Sequence, residues 1–158
     1  VRGVFVGCGS WGGVGDYRDP VATEHVSRCG LYHTCDSGYL DADNFLFIVD
    51  RLKDMIITGG FNVYSVEVEQ ALLAHPGVQD CAVIGRPDDK WGERVEAVVQ
   101  PKPGHPVEPA ALVAFVKARI GSVKAPKIVH VWPDLPRSKV GKVVKPEVKA
   151  RLASDSRP

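Results

Sequence analysis

The chain has 158 residues, 44% of them apolar and 25% charged, the size and balance of one ordinary globular unit able to bury a core without disulfide or metal staples. No apolar run approaches the ~18 residues of a membrane span and the first residues lack the basic-then-apolar layout of a secretory leader, so a cytoplasmic protein without a transmembrane segment is the expectation. A net charge of +1 singles out no partner by global electrostatics.

Two stretches of different character meet near residue 50. Residues 1–44 are rich in glycine and turn formers, with one short strand candidate at Val4-Phe5-Val6. Gly7-Cys8-Gly9-Ser10-Trp11-Gly12 satisfies a dinucleotide-type G-x-G-x-x-G. That site needs a helix opening at its third glycine, and Gly13-Val14-Gly15-Asp16 followed by Pro20 opposes one. A glycine-rich hairpin is the simpler reading. Cys29, His33 and Cys35 form C-x-x-x-H-x-C without a fourth ligand at any regular spacing, so no metal site is expected. The four cysteines (Cys8, Cys29, Cys35 and Cys81) make no C-x-x-C pair and read as reduced thiols.

From residue 45 the elements become regular. Residues 45–49 form a β-rich run after the turn-like Asp41-Ala42-Asp43-Asn44, and 55–58 a second strand stopped by Gly59-Gly60. Ser65 offers a helix N-cap, Glu67 and Glu69 place acid in the first turn, and Val68, Ala71 and Leu72 share a face ending at Pro76-Gly77. Strands are expected at 78–85 and 94–99 around a turn near Pro87-Asp88-Asp89. Pro109 suits the first turn of a helix whose Leu112, Phe115, Val116 and Ile120 form an apolar stripe closed by Gly121. A strand at 128–132, a loop at 133–141 and a helix at 146–152 complete the chain. The fold expected is α+β, a small mixed sheet flanked by helices.

Charge is concentrated late in the chain: residues 124–151 hold eight Lys or Arg against Asp134 and Glu147. Such a tail suits a phosphate-bearing ligand. Trp132 is the lone aromatic among those charges, too few for a single-strand stacking platform, so nucleic acid is not the expected partner.

The string Asp50-Arg51-Leu52-Lys53-Asp54 through Gly59-Gly60-Phe61-Asn62-Val63-Tyr64-Ser65-Val66-Glu67-Val68-Glu69, with Gly141-Lys142 downstream, resembles the interdomain hinge of the AMP-forming acyl-CoA synthetases of the adenylate-forming superfamily. Tyr32-His33-Thr34-Cys35-Asp36 resembles the family's aromatic-x-Thr-Gly-Asp element, with cysteine in place of glycine. Asp16-Tyr17-Arg18-Asp19-Pro20-Val21-Ala22-Thr23 partly matches a pattern from the end of the family's large domain. Pro136-Arg137-Ser138-Lys139-Val140-Gly141-Lys142 resembles its C-terminal Pro-Arg-Thr-x-x-Gly-Lys element. Phe61 and Ser65 stand where an acid and a proline are common.

The resemblance implies that residues 1–50 are a remnant of the large domain and 51–158 the C-terminal cap domain, with a hinge at 50–54 pivoting at Lys53. It implies a parent enzyme that uses ATP to convert a carboxylic acid, fatty or related, to an acyl-adenylate and then transfers the acyl group to CoA. Asp36 and Arg51 would hold the AMP ribose, Gly59 and Gly60 would line the pantetheine path, and Lys142 would be the catalytic ammonium. Lys139 and Lys145 are expected to be solvated. Mg2+ would accompany ATP, bound mainly by the absent large domain, and the chain alone would be inactive. Exposed strand edges in 1–44 would favour self-association. An adenylation module donating to a carrier protein, a non-catalytic interaction domain, and a nucleic-acid binder remain the alternatives.

Overall fold

The computed structural model describes residues 2–7, 19–28 and 31–155 and divides the chain into two compact units, Val1–Lys53 and Asp54–Pro158. Among the described residues no helix is long and apolar enough to cross a membrane.

The first unit is antiparallel. Strand β1 (Arg2–Gly7) and the short β2 (Ser27–Arg28) both pair with β3 (Leu31–Leu40), and β4 (Leu46–Arg51) also pairs with β3. Helix α1 (Pro20–Val26) precedes β2. The expected strand at 45–49 thus begins and ends later, and the ten-residue β3 had no counterpart in the sequence reading. Of the G-x-G-x-x-G decoy only Gly7 is described, ending β1; Cys8 and Cys29 also lie outside the described residues. Tyr39 and Phe47, directly opposite in register, stack at 5.1 Å.

The second unit has a mixed five-stranded sheet in the order β6-β5-β8-β7, with β9 on β8: β5 (Met55–Thr58), β6 (Phe61–Tyr64), β7 (Val78–Asp88), β8 (Gly92–Pro101) and β9 (Ile128–Val131). All pairs are antiparallel except β8 with β9, which are joined through α3 (Pro109–Ile120). The mixed sheet was expected; this one crossover was not. Pro109 does open α3, and Gly121 at φ 84° closes it.

Helices cover both faces, so β7 reads Cys81-Ala82-Val83-Ile84 without polar alternation and all four are buried. On one face Cys81, Val83, Val95, Ala97 and Val99 pack with α2 (Ser65–Leu73) through Val68 and Leu72, and with α3 through Leu112 and Val116. On the other, Ala82, Ile84 and Val98 pack with Trp132, Leu135, and Val148 and Leu152 of α4 (Lys145–Asp155). Each fully buried Val, Leu or Ile among them is worth about 1.5–3 kcal/mol.

Two details overturn the sequence reading. Ser65 does not cap α2: Tyr64 occupies the N-cap position with no side-chain hydrogen bond, and Ser65 is fully buried as the helix's first residue. Helix α2 also stops at Leu73, ahead of Pro76-Gly77. The acid buried mid-sheet is Glu96, 1% exposed. Its Oε1 accepts from Arg94 Nε at 2.8 Å and Nη2 at 2.5 Å, and its Oε2 lies 3.2 Å from His130 Nε2 and 3.8 Å from Arg86 Nη1.

Candidate functional site

Asp36 and Arg51 stand directly opposite each other across β3 and β4, so both side chains leave the same face of that antiparallel pair. Arg51 Nε lies 3.7 Å from Asp36 Oδ1, with Arg51 64% exposed and Asp36 22%. A loose pair of that exposure contributes little to stability. It leaves the carboxylate's lone pairs and the guanidinium's remaining donors available to a ligand hydroxyl. The Asp36 amide donates to Thr34 Oγ1 at 3.1 Å, closing a tight local turn. Within that turn Cys35 has φ 57°, the left-handed region that favours glycine, so the side chain that replaces glycine here is accommodated with strain.

Lys53 is exposed within a single 3-10 turn, Leu52–Asp54, between the end of β4 at Arg51 and the start of β5 at Met55. The division between the two compact units falls directly after it. A short turn of this kind, with no buried residue of its own, can absorb a backbone rotation without disturbing a core.

Gly59 and Gly60 form the two-residue turn joining β5 to β6, with φ 56° and 81°. Two successive positive values are what a tight hairpin with native twist requires. The turn is held from outside: the Gly59 amide donates to the Trp91 carbonyl at 2.8 Å, and the Ile57 amide to Glu93 Oε2 at 2.8 Å. A β-carbon on Gly59 would lie 2.9 Å from Trp91 Cε3, whereas one on Gly60 would meet nothing within 4 Å. The Trp91 ring thus lies against Gly59 while remaining 41% exposed. The ammonium groups of Lys90 and Lys127 lie 5.1 and 5.9 Å from its ring centre. Sequence reasoning missed this aromatic and cationic border, because Trp91 and Lys127 reach the glycine turn only through strand pairing.

Lys142 sits at the base of a small hairpin after Leu135. The Ser138 amide donates to the Lys142 carbonyl at 2.8 Å, the Lys142 amide to Ser138 Oγ at 3.2 Å, and the Gly141 amide to the Ser138 carbonyl at 2.8 Å. Gly141 takes φ 82°, a conformation that a side chain would oppose. The Lys142 side chain is exposed, and among the described residues its ammonium makes no ion pair. Lys139 is exposed as well. Lys145 is not solvated: its ammonium donates to Ser65 Oγ at 2.6 Å and pairs with Glu69 Oε1 at 2.9 Å. Burial of Ser65 and the acid on α2 turn that lysine into an internal tie between helices.

Among the described residues no group of three or more His, Cys, Asp or Glu is arranged to hold a metal ion.

Against known families, residues 67–142 match the AMP-binding enzyme C-terminal domain. The chain is 44% identical to a feruloyl-CoA synthase of an Amycolatopsis species over 96% of its own length and 30% of that protein's. It is also 44% identical to a medium/long-chain fatty-acid–CoA ligase of Mycobacterium tuberculosis, covering 87% of this chain and 25% of that one. Among solved structures it superposes on the o-succinylbenzoate-CoA synthetase of Bacillus subtilis in complex with its acyl-adenylate intermediate, with a TM-score of 0.85 and 34% identity over 94% of this chain and 30% of that one. The chain therefore spans under a third of the length of these relatives.

Proposed function

The chain belongs to the adenylate-forming superfamily and carries its AMP-binding enzyme C-terminal domain, and on that premise we propose that it supplies the mobile catalytic part of an AMP-forming carboxylic acid–CoA ligase. The reaction is R-COO⁻ + ATP giving acyl-AMP and pyrophosphate, then acyl-AMP + CoA-SH giving the thioester and AMP. The acid is of the fatty or aryl class, in keeping with what the names of the relatives describe.

The observation that carries the reading is the state of Lys142: exposed, unpaired among the described residues, and fixed at its backbone. As the carboxylate attacks the α-phosphorus, negative charge gathers on the phosphoryl oxygens, and a preorganised ammonium stabilises it. Asp36 and Arg51 grip the ribose hydroxyls, the carboxylate as acceptor and the guanidinium as donor. Gly59 and Gly60, lacking side chains, let the pantetheine arm pass close to the backbone, with Trp91 as one wall and Lys90 and Lys127 as cations for the nucleotide phosphates of CoA. Lys53 is the pivot between the two half-reactions. Mg2+ travels with ATP and is assigned no ligand in this chain.

The test is a separation of half-reactions in the full-length enzyme. Lys142→Ala is expected to lower ATP–pyrophosphate exchange about 10²–10³-fold, by analogy with loss of one preorganised donor. Thioester formation from supplied acyl-adenylate should persist. Undiminished exchange refutes the role. The 158-residue chain by itself is expected to release no pyrophosphate from ATP with a panel of fatty and aryl acids.

A further inference from the structure

Arg137 has no role in the reading above, yet it is the residue that ties the Lys142 hairpin to the sheet. Asp80 on β7 and Gln100 on β8 face each other directly in register. The Arg137 fork bridges both: Nη2 lies 2.8 Å from Asp80 Oδ2 and donates to Gln100 Oε1 at 3.0 Å. Asp80 is itself oriented, since its Oδ1 accepts from the Cys81 amide at 2.8 Å. The other end of the fork, Nη1, donates to the carbonyl of Gly141 at 3.1 Å. That carbonyl belongs to the peptide group whose amide is Lys142's own, so the guanidinium grips one side of the bond while Ser138 Oγ takes the other. Arg137 also pairs with Val143 across the hairpin in an isolated antiparallel bridge.

We propose that Arg137 is a positioning residue for Lys142, its planar fork fixing the Gly141–Lys142 peptide to the Asp80–Gln100 pair so that the ammonium leaves the hairpin in one direction. The inference rests on the reading of Lys142 as the adenylation ammonium and adds where its precision comes from. Glycine at position 141, with φ 82°, would otherwise be the most deformable point of the hairpin. A guanidinium suits the task because it donates in several directions within one rigid plane, which an ammonium does not.

Two measurements test it. In the 158-residue chain, ¹⁵N relaxation should give Gly141 and Lys142 order parameters of about 0.85, falling below about 0.6 in Arg137→Ala, with the β7 amides at 81–84 unchanged. Arg137→Lys, which keeps the charge opposite Asp80 but cannot span to Gly141, should remain as loose as the alanine variant. In the full-length enzyme, Arg137→Ala should lower ATP–pyrophosphate exchange about 10- to 100-fold, the loss expected from misplacing a catalytic group by about 1 Å. Thioester formation from supplied acyl-adenylate should stay at the wild-type rate, whereas simple destabilisation would depress both half-reactions. Unchanged order at residues 141–142 overturns the clamp. Loosened order with unaffected exchange, in an enzyme that Lys142→Ala disables, overturns the positioning role and leaves the functional reading intact. Exchange insensitive to Lys142→Ala removes the reading and this inference together.

Discussion

Glu96 is an exacting position in the second unit. A carboxylate that is 1% exposed survives in the middle of β8 because three side chains converge on it, Arg94, Arg86 and His130. Removing one partner of a buried ion pair typically costs ~3–5 kcal/mol because it strands the other charge. Here the stranded charges are only partly buried: Arg94 is 30% exposed and Arg86 25%, and Arg94 retains Asp88 at 3.4 Å. The expected cost of Glu96→Leu is therefore smaller, about 2–3 kcal/mol. Glu96→Gln, which keeps an acceptor for Arg94 Nε, should cost about 1–2 kcal/mol, the difference between charge-assisted and neutral hydrogen bonds. For a unit of this size the leucine variant corresponds to a fall of roughly 10–20 °C in midpoint. Native-state hydrogen exchange at the amides of residues 95–99 reads the second unit directly, and a urea titration by circular dichroism gives the global value. The double variant Arg94→Leu/Glu96→Leu should recover part of the loss, since an apolar pair of similar volume can replace a buried ion pair at little cost. A leucine variant as stable as the parent chain would refute the view that the arginines depend on this carboxylate.

The remaining predictions concern backbone and thiols. Gly60→Ala meets only the cost of a left-handed φ, about 1–2 kcal/mol, whereas Gly59→Ala must also displace the Trp91 ring and should cost at least ~1 kcal/mol more in thermal melts, with a larger fall in thioester formation. Cys35→Gly relieves about 1–2 kcal/mol of strain at φ 57° against ~0.5–1 kcal/mol of glycine chain entropy, so a small gain in hydrogen-exchange protection across β3 is expected. Burial, reinforced by Glu69 and Asp80 and opposed by Lys145, pushes the Cys81 thiol far above its ordinary value of 9.0, so iodoacetamide should modify it only through unfolding. Because the folded value is the raised one, this group's contribution is complete below the unfolded thiol's pKa and declines as pH climbs past 9.0, by at most about 1.4 kcal/mol per unit. Cys81→Ala should flatten that alkaline slope in urea midpoints measured between about pH 8 and 10.5.

What the sequence made legible follows the physics of local signals. Strand β5 ends where Gly59-Gly60 must turn, and α3 opens at Pro109 and stops before Gly121 because both residues punctuate through their own backbones. Strand β3 was not legible: Leu31-Tyr32-His33-Thr34-Cys35-Asp36 carries no clean alternation, and its strand state comes from partners on both sides, β1 and β4. Ser65 read as a cap because capping is a local preference, but it is used as a buried acceptor for Lys145, eighty residues away. The same distance problem concealed Trp91, which reaches the glycine turn through the pairing of Thr58 with Gly92. Lys142 and Lys145 show the limit best. Their neighbourhoods in sequence are alike, and only the fold spends one ammonium on Glu69 and leaves the other exposed.

The cysteine at position 35 looks at first like a loss of function, since it stands where the motif it resembles has glycine, beside the acid proposed to bind ribose. The structure separates two consequences that the sequence could not. The backbone at Cys35 keeps φ 57°, the conformation that glycine would adopt, instead of relaxing to an ordinary extended value. It is held there from both sides: Thr34 Oγ1 takes the Asp36 amide, and the pairing of Asp36 with Arg51 fixes the next position in the ladder. A conformation so over-determined costs stability, while Asp36 stays in register with Arg51. The departure therefore costs stability while Asp36 and Arg51 keep their places opposite each other, the arrangement that the proposed ribose contact requires.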